Sequence, residues 1–287
     1  MITVSIDGMI VPAEEASISV FDRGLLYGDG CFEVLRTWES VAVDLAAHLD
    51  RLYATAAWLQ LQMLERVMLE EAVYRTIAAA KPRVPPVPSI RSPEHRIRIV
   101  VTRGPGGLAQ PFADLGRGRS IVIVEPLPPP PEELSIAVVD WPIAAASMLP
   151  HGHKTLAFLD PLIACELARA AGADEAIRLD PAGNVVEGAT CNLFVVEGGT
   201  VSTPRLAAGV LPGIVRARML ATCTTEHIPA QERLISVPEL RDAAEVFVTS
   251  SLRGVVPVTR IDGAPRSVGP ITIALQRSYR RAMRPVP

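Results

Sequence analysis

The spacing of the apolar residues changes along the chain, from strand-like alternation at the start to helical spacing and back. In the first half, four alternating stretches predict β-strands, at residues 2–11, 31–45, 96–104 and 119–127. The first stretch turns at Asp7-Gly8, a pair that is typical of a β-hairpin. Between Leu45 and about Ala80 the apolar residues follow helical spacing, and the proline-rich residues 81–95 predict a surface loop.

The second half mixes strands and helices without a regular βαβ repeat. The pattern predicts strands or hairpins at 135–141, 175–188, 191–204, 243–258 and 260–266, and helices at 158–172, at 209–223 and from Pro270 onward. The proline run 128–131 is stiff and extended, which favours a boundary between domains. We therefore expect an α+β protein with a cleft between two lobes: a small N-terminal lobe at 1–125, a linker at 126–134 and a larger C-terminal lobe at 135–287.

Composition narrows the class of protein. Apolar residues make up 49% of the chain and charged residues 21%, and the net charge of −3 gives no reason to expect a nucleic acid or a membrane surface as a partner. The four cysteines are scattered without a CxxC pair, which argues against a zinc site or a disulfide framework. No signal peptide and no membrane-spanning run is recognisable, so the sequence predicts a cytoplasmic enzyme.

Lysine is rare in this chain, which has 26 arginines and two lysines, Lys81 and Lys154. Lys154 lies in the apolar segment "MLPHGHKTLAF", just before a predicted helix. A lysine can lose its proton and act as a nucleophile, whereas an arginine cannot. The alternatives are a surface lysine, or a metal site at His151 and His153, for which no acidic or cysteine partner lies nearby. Taken alone, the segment leaves these alternatives open.

Three further features lie in the second half of the chain. Glu187 interrupts an apolar strand, either because it faces solvent or because it faces a buried cation. Pro212-Gly213 begins a helix whose free amides would bind an anion such as phosphate, unless it is a plain proline-started helix. The hydroxyl-rich turn at 248–254 would suit phosphate oxygens. Together with Lys154, these features supply the amine, the carboxylate and the phosphate site that pyridoxal 5′-phosphate (PLP) requires.

Beyond these features, the chain resembles the class IV (fold type IV) PLP enzymes: branched-chain aminotransferases, D-amino-acid aminotransferases and aminodeoxychorismate lyases. The resemblance covers nearly the whole length and rests on motifs in the family's order: "DRGLLYGDGCFEVLR" (22–36), "HLDRL" (48–52), "RIRIVVTRG" (96–104), the lysine segment, "GADEAIRLDPAGNVVEGATCNLFVV" (172–196), "TPRLAAGVLPGIVR" (203–216) and "EVFVTSSLRGVVPV" (245–258). It implies the two-lobed fold, PLP as cofactor, an amino acid and a 2-oxo acid as substrates, and a homodimer with the active site near the interface.

The resemblance also implies roles for individual residues. Lys154 would bind PLP as a Schiff base (the internal aldimine) and would carry the proton between the substrate Cα and C4′ of the cofactor. Glu187 would pair with the pyridine nitrogen, and Leu211 would pack on the ring. The phosphate would be bound by residues of three segments: Arg51, the helix start Gly213, Ile214 and Val215, and the turn residues Ser250 and Ser251.

Candidate substrate-binding residues lie mainly in the first half. By the resemblance, Tyr27, Phe32 and Val34 of "YGDGCFEV" would line the substrate site. If Phe32 faces the cofactor, Arg36 shares its face, because residues two apart on a strand point the same way. Arginine binds a carboxylate through two parallel hydrogen bonds, although a surface salt bridge is the alternative for each candidate. The candidates for a substrate carboxylate are Arg36, Arg98 and Arg253.

Departures from the family patterns bear on the reaction. Phe158 stands where branched-chain aminotransferases have a tyrosine that bonds the cofactor, and "GDGCFEV" looks more like the D-amino-acid enzymes. The "RAHQF" segment of those enzymes is replaced by "GLAQPF" (107–112), however. The lyases favour threonine in place of Val34, but "SLRG" (251–254) is lyase-like. We expect an aminotransferase with D-amino-acid or broad specificity. The alternatives are an aminodeoxychorismate lyase, a branched-chain aminotransferase, and a relative that retains the fold without catalysis.

Overall fold

The structure is a computed structural model that describes residues 2–80, 94–141 and 152–283. Most of the loop expected at 81–95 lies outside the described residues, and so does His151.

The chain divides into two compact units that separate in sequence at Pro129–Pro130. The first unit comprises the residues up to Pro129 together with the segment His153–Phe158, and the second comprises Pro130–Gly152 and the residues from Leu159 onward. The lysine segment therefore belongs to the first unit, whereas the sequence boundaries placed it in the C-terminal lobe.

The first unit is built around a six-stranded antiparallel sheet with the strand order β2-β1-β6-β5-β3-β4. The expected helix over 45–80 is two helices, because the chain breaks after Trp58 and Gln60 adopts a left-handed backbone with φ of +54°. The elements are β1 (Thr3–Ile6), β2 (Met9–Val11), α1 (Arg23–Tyr27), β3 (Gly30–Trp38), β4 (Val41–Ala42), α2 (Leu45–Trp58), α3 (Arg66–Ala80), β5 (His95–Thr102) and β6 (Ser120–Pro126).

Helices α2 and α3 cover one face of this sheet. Leu35 of β3 and Ile97 of β5 are fully buried there, in one cluster with Leu49 of α2 and Leu69 of α3. Because side chains alternate across a strand, the residues next to Leu35 point away from this core. Phe32, Val34 and Arg36 therefore share the opposite face of the sheet, as the sequence pattern indicates.

A buried acid ties α2 to the sheet. Glu33 is on the core face of β3 and has no exposed side-chain surface. Its two oxygens accept hydrogen bonds from Arg51 at 2.6 and 2.8 Å, and Nδ1 of His48 lies 2.7 Å from Oε2. Burial alone would raise the pKa of Glu33, but the bonds and charges of Arg51 and His48 lower it to about 2. The carboxylate is therefore held ionised, and it fixes one edge of the Arg51 guanidinium.

The second unit contains a nine-stranded mixed sheet in which eight strands follow the order β12-β11-β10-β13-β14-β7-β8-β9, with β15 paired to β14. Its elements are β7 (Leu134–Val138), α4 (Leu159–Ala170), β8 (Glu175–Leu179), β9 (Val185–Gly188), β10 (Asn192–Glu197), β11 (Thr200–Pro204), α5 (Ile214–Thr225), β12 (Ala230–Arg233), α6 (Val237–Asp242), β13 (Glu245–Ser250), β14 (Gly254–Ile261), β15 (Ala264–Pro265) and α7 (Pro270–Ala282). None of the helices in the described part of the chain combines the length and the apolar composition that a membrane crossing needs.

The Glu33 cluster makes the stability of the first unit depend on pH. We expect Glu33→Gln to lower the free energy of unfolding by about 3 kcal/mol near neutral pH, because the buried guanidinium of Arg51 loses its counter-charge. The folded pKa of about 2 lies below the ordinary value of 4.5, so the stabilisation is complete above pH 4.5 and is lost as the pH falls through 2. Denaturant unfolding of the wild type and of Glu33→Gln, from neutral pH down to about pH 2, measures the difference in unfolding free energy.

Glu125→Gln is the matched control for this experiment. Glu125 also pairs with an arginine of a neighbouring strand, Arg96, but both side chains are partly exposed. That variant should cost less than about 1 kcal/mol. A Glu33→Gln effect as small as the control, or one that does not shrink in acid, would contradict the assignment.

Candidate active site

The segment His153–Phe158 runs beside β3 and is held to it by backbone hydrogen bonds. The amide of Phe32 donates to the carbonyl of Lys154 at 3.0 Å, and the amide of Leu156 donates to the carbonyl of Gly30 at 2.9 Å. Gly30 permits this approach, because a Cβ at that position would lie 2.6 Å from the Leu156 side chain. The backbone position of Lys154 is therefore set by its pairing with β3.

The amine of Lys154 lies in an aromatic environment. Its Nζ is 4.7 Å from the ring centroid of Phe32 and 5.8 Å from that of Phe158. The two rings contact each other edge to face, with centroids 5.3 Å apart. Phe158 thus contributes a ring to the surroundings of the lysine and no hydroxyl.

Arg98 lies against the same aromatic ring. Its guanidinium carbon is 5.2 Å from the centroid of Phe32, and β5 places Arg98 directly opposite Val34. Burial and the neighbouring Arg96 lower the pKa of Arg98, and the opposing effect of Glu125, which is bonded to Arg96, is the smallest of the three. In the described ranges, no carboxylate bonds to the guanidinium of Arg98. A half-buried cation of this kind is suited to an anionic ligand.

The other arginine candidates have bonds within their own units. The buried Arg36 donates from Nε to the carbonyl of Thr37 at 3.1 Å and stacks on Trp38. Arg51 is bonded to Glu33, as described above. Arg253 is bonded to Glu175 and Thr190 in the second unit. Of the three candidates, Arg98 is the one for which the described residues supply no hydrogen-bond acceptor.

Two further residues singled out from the sequence, Tyr27 and His153, make contacts within the first unit. Tyr27 is exposed and lies under the guanidinium of Arg23, at 5.2 Å. His153 stacks on Trp58 with centroids 4.8 Å apart, and burial lowers its pKa. Among the described residues, no group of three histidine, cysteine or acidic side chains could hold a metal ion. Besides the stacking on Trp58, Nδ1 of His153 lies 3.4 Å from Oγ1 of Thr55.

In the second unit, a β-bulge orients Glu187. Arg178 of β8 faces Glu187 of β9, and Leu179 faces Val185, so Val186 is an extra residue in β9. Val185 packs into the hydrophobic core of this unit. Without the bulge, Glu187 would share the core-facing side of Val185, since residues two apart on a strand point the same way. The bulge instead places Glu187 on the face of Arg178.

Three donors surround the carboxylate of Glu187. Oε2 accepts hydrogen bonds from Nδ2 of Asn192 at 3.2 Å and from the amide of Leu211 at 3.0 Å. Oε1 lies 3.6 Å from Nη2 of Arg178. The Glu187 side chain is largely buried, and these contacts fix the position of its carboxylate. Leu211 takes part through its backbone amide.

The start of α5 lies next to this carboxylate. Nδ2 of Asn192 also donates to the carbonyl of Leu211 at 3.0 Å, and a Cβ at Gly213 would collide with the side-chain oxygen of Asn192. Gly213 is the N-cap of α5, so the amides of Ile214 and Val215 belong to the first turn, where amides have no partner within the helix. These amides and the helix dipole form a site suited to a phosphate.

The hydroxyl turn follows β13. Thr249 pairs directly with Asn192, which places Ser250 and Ser251 at the same end of the sheet. Oγ of Ser250 accepts two hydrogen bonds from Arg253, one from its backbone amide and one from its Nε, both at 3.3 Å.

The guanidinium of Arg253 anchors this turn to the rest of the unit. Its Nη2 lies 2.7 Å from both Oε2 of Glu175 and Oγ1 of Thr190. Arg253 therefore holds the hydroxyl turn in place, and its guanidinium is already hydrogen-bonded to residues of the second unit.

Three residues of the site were not found from sequence: Glu33, Arg178 and Asn192. The signal for Asn192 is an amide within the apolar run "CNLFVV". For Arg178 and Glu33 the signal is a charge inside a strand that is otherwise apolar, but sequence does not show which charge it meets.

The donor set fits PLP. In the first unit a primary amine lies against two aromatic rings, beside a guanidinium that no acid bonds within the described residues. In the second unit a fixed carboxylate, a glycine-capped helix start and a hydroxyl turn are the groups that a pyridine nitrogen and a phosphate require.

Comparison with known proteins identifies the family. Residues 30–261 match the family described as amino-transferase class IV. Over 283 residues the chain is 33% identical to a putative branched-chain-amino-acid aminotransferase of Methanocaldococcus jannaschii, covering 96% of this chain and 95% of that protein. Over 284 residues it is 25% identical to a D-alanine aminotransferase of Bacillus licheniformis, covering 98% and 96% of the two chains.

A solved structure gives the same result. The branched-chain aminotransferase of Thermoproteus uzoniensis, solved with norvaline, matches with a TM-score of 0.89 and 31% identity, over 98% of this chain and 94% of that one. The type IV fold, PLP as cofactor and transamination between an amino acid and a 2-oxo acid, all expected from the sequence, are confirmed. The chain belongs to the class IV aminotransferase family.

Proposed function

We propose that the chain transfers amino groups between amino acids and 2-oxo acids with Lys154 as its catalytic lysine. The observation that carries this proposal is the arrangement around Phe32, whose ring centroid is 4.7 Å from the amine of Lys154 and 5.2 Å from the guanidinium of Arg98. An amino acid presents an amine and a carboxylate a short distance apart. An exchangeable amine and a cation beside one ring match those two groups.

Each residue has a stated task in this proposal. Bound PLP supplies an electron-accepting ring that stabilises negative charge at the substrate Cα. Lys154 would hold PLP covalently until the substrate amine displaces it, and its Nζ would then take the proton from Cα. Glu187 would accept the proton-bearing pyridine nitrogen as its partner, and Leu211 would pack on the ring.

The phosphate of PLP would be bound by neutral hydrogen-bond donors and by one charged donor. Ile214 and Val215 would donate their amides at the start of α5, where Gly213 keeps the approach open, and Ser250 or Ser251 would donate a hydroxyl. Arg51 would add a full positive charge, with its orientation set by Glu33. Hydrogen bonds to a phosphate dianion are charge-assisted and therefore stronger than bonds between neutral groups.

Arg98 is the proposed site for the substrate carboxylate. It shares a sheet face with Phe32 and Val34, which would line the substrate site, and no acid within the described ranges bonds to it. Arg36 and Arg253, the other sequence candidates, contribute instead to the packing and to the hydroxyl turn.

For the amino donor we propose D-amino-acid or broad specificity. The "GDGCFEV" segment supports it, and so does Phe158, which brings no hydroxyl towards Lys154. Relatives named D-alanine aminotransferase and branched-chain-amino-acid aminotransferase both match nearly the whole chain, in keeping with a broad donor range. A lyase reaction has no such support among the named relatives.

The proposed assembly is a homodimer, and the proposed location is the cytoplasm. Val20, Phe21 and Leu25 expose between 61% and 69% of their surface around α1. Large apolar side chains clustered on a surface mark a protein interface, and Tyr27 lies in the same stretch. A second copy of the chain would cover them. Sedimentation that gives the mass of a single 30.8 kDa chain at micromolar concentration would contradict the dimer.

A screen of amino donors tests the proposed reaction. Purified enzyme with PLP is incubated with D- and L-alanine, leucine and glutamate, and with pyruvate or 2-oxoglutarate as acceptor. We expect amino transfer from several donors, including a D-amino acid, and no transfer by Lys154→Ala. Transfer from branched-chain L-donors alone would overturn the donor specificity, and pyruvate release from aminodeoxychorismate without any transfer would overturn the reaction.

The role of Arg98 is tested by replacing it with leucine, and the same replacement of Arg96 is the control. Arg98→Leu should raise KM for the donor and the acceptor about tenfold or more, because a charge-assisted bidentate contact is lost. Arg96→Leu removes a guanidinium two residues away that already has an acid partner, and it should leave KM within about twofold. Equal effects of the two substitutions would contradict the assignment.

A further inference from the structure

Arg178 forms a pair with Glu187, and the reaction as described gives Arg178 no role. They are cross-strand neighbours on β8 and β9, on the face that the bulge at Val186 gives to Glu187. Nη2 of Arg178 lies 3.6 Å from Oε1 of Glu187, and the two side chains are only 8% and 12% exposed. At this depth the interaction between two charges is far stronger than at a surface.

The burial of Arg178 is not compensated by hydrogen bonds, which sets it apart from other buried arginines of this chain. The guanidinium of Arg103 bonds to Asp29 and to two backbone carbonyls. Arg216 bonds to the Pro204 carbonyl and to Glu232. The buried Nε atoms of Arg178 and Arg216 both have no hydrogen-bond partner among the described residues. Arg178 differs because its one ion pair is too long for a hydrogen bond. Structural bonding therefore does not account for its burial.

Arg178 is not needed to hold Glu187 in place either. Oε2 of Glu187 is already fixed by Nδ2 of Asn192 and by the amide of Leu211. These two donors come from β10 and from the loop before α5, and both bond to the same oxygen. What Arg178 adds is a permanent positive charge, because a guanidinium does not lose its proton in proteins.

The other titratable groups around the pair do not cancel this charge. Cys165 on α4 and Cys191 before β10 are the neighbouring thiols, and burial raises the pKa of both, so they stay neutral. Glu175 and Arg253 lie close by but form an ion pair of their own at 2.7 Å. Among the described residues, Glu187 is therefore the one acid that pairs with Arg178.

We propose that Arg178 is a positioning residue that acts through Glu187 and weakens the hold of this carboxylate on the proton of the PLP pyridine nitrogen. The inference rests on the proposed function, in which Glu187 pairs with that nitrogen. A carboxylate that is shared with a guanidinium attracts a second proton-bearing group less strongly than a carboxylate alone. The ring nitrogen accordingly loses its proton at a lower pH than it would beside Glu187 without Arg178.

The test reads the ring nitrogen directly. Wild type, Arg178→Met and Arg178→Lys are loaded with PLP that carries 15N at the ring position, and the 15N resonance is followed from about pH 5 to about pH 10. We expect the ring nitrogen of Arg178→Met to keep its proton to a pH about one unit higher than wild type, a roughly tenfold tighter hold. Arg178→Lys keeps the charge and should titrate close to wild type.

Arg103→Met is the control for the loss of a buried guanidinium, since the partners of Arg103 all belong to the first unit. It should titrate like wild type even where its stability falls. Arg178→Gln serves as a second neutral variant if Arg178→Met does not fold.

Two outcomes would overturn the inference. One is the same titration in wild type and in the neutral variants, and the other is a ring nitrogen that stays protonated throughout in all of them. A wild type that binds no PLP covalently would contradict the proposed function and this inference with it. Covalent PLP with an unchanged titration contradicts the inference alone.

Discussion

The position of Lys154 depends on one backbone interaction, the pairing of His153–Phe158 with β3. Two backbone hydrogen bonds hold the segment against this strand, and the close approach is possible because Gly30 has no side chain. The same strand carries Phe32, and its register with β5 sets Arg98 opposite Val34. One strand therefore determines where the amine, the aromatic ring and the guanidinium lie. A shift of the lysine segment by one residue would turn the amine away from the ring, because side chains alternate along an extended chain.

Buried charges in this chain separate by their partners into structural and functional ones. Glu33 is surrounded by Arg51 and His48, and Glu175 is bonded to Arg253, so each of these acids stabilises local structure. Arg98 has no such partner among the described residues, and a desolvated cation without an acid is costly unless a ligand supplies one. Glu187 is intermediate, since neutral donors fix one oxygen and a guanidinium faces the other.

Sequence was most informative where one residue type breaks a local pattern. A rare lysine in an apolar segment, a glutamate in an apolar strand and a Pro-Gly helix start are visible without a structure, and Lys154, Glu187 and Gly213 are candidates for that reason. It was least informative about long-range pairing. The lysine segment joins the first unit through a strand more than a hundred residues earlier, and Arg253 meets an acid 78 residues away. Neither partner leaves a local signal.

The proposed covalent bond between Lys154 and PLP can be measured directly, because the chain contains so few lysines. With only Lys81 and Lys154 present, borohydride reduction of the enzyme with PLP, followed by digestion and mass spectrometry, can assign the label to one of two peptides. The account predicts one phosphopyridoxyl group per chain, on the peptide that contains Lys154. A label on Lys81, or reduction that leaves both lysines unmodified, would contradict it.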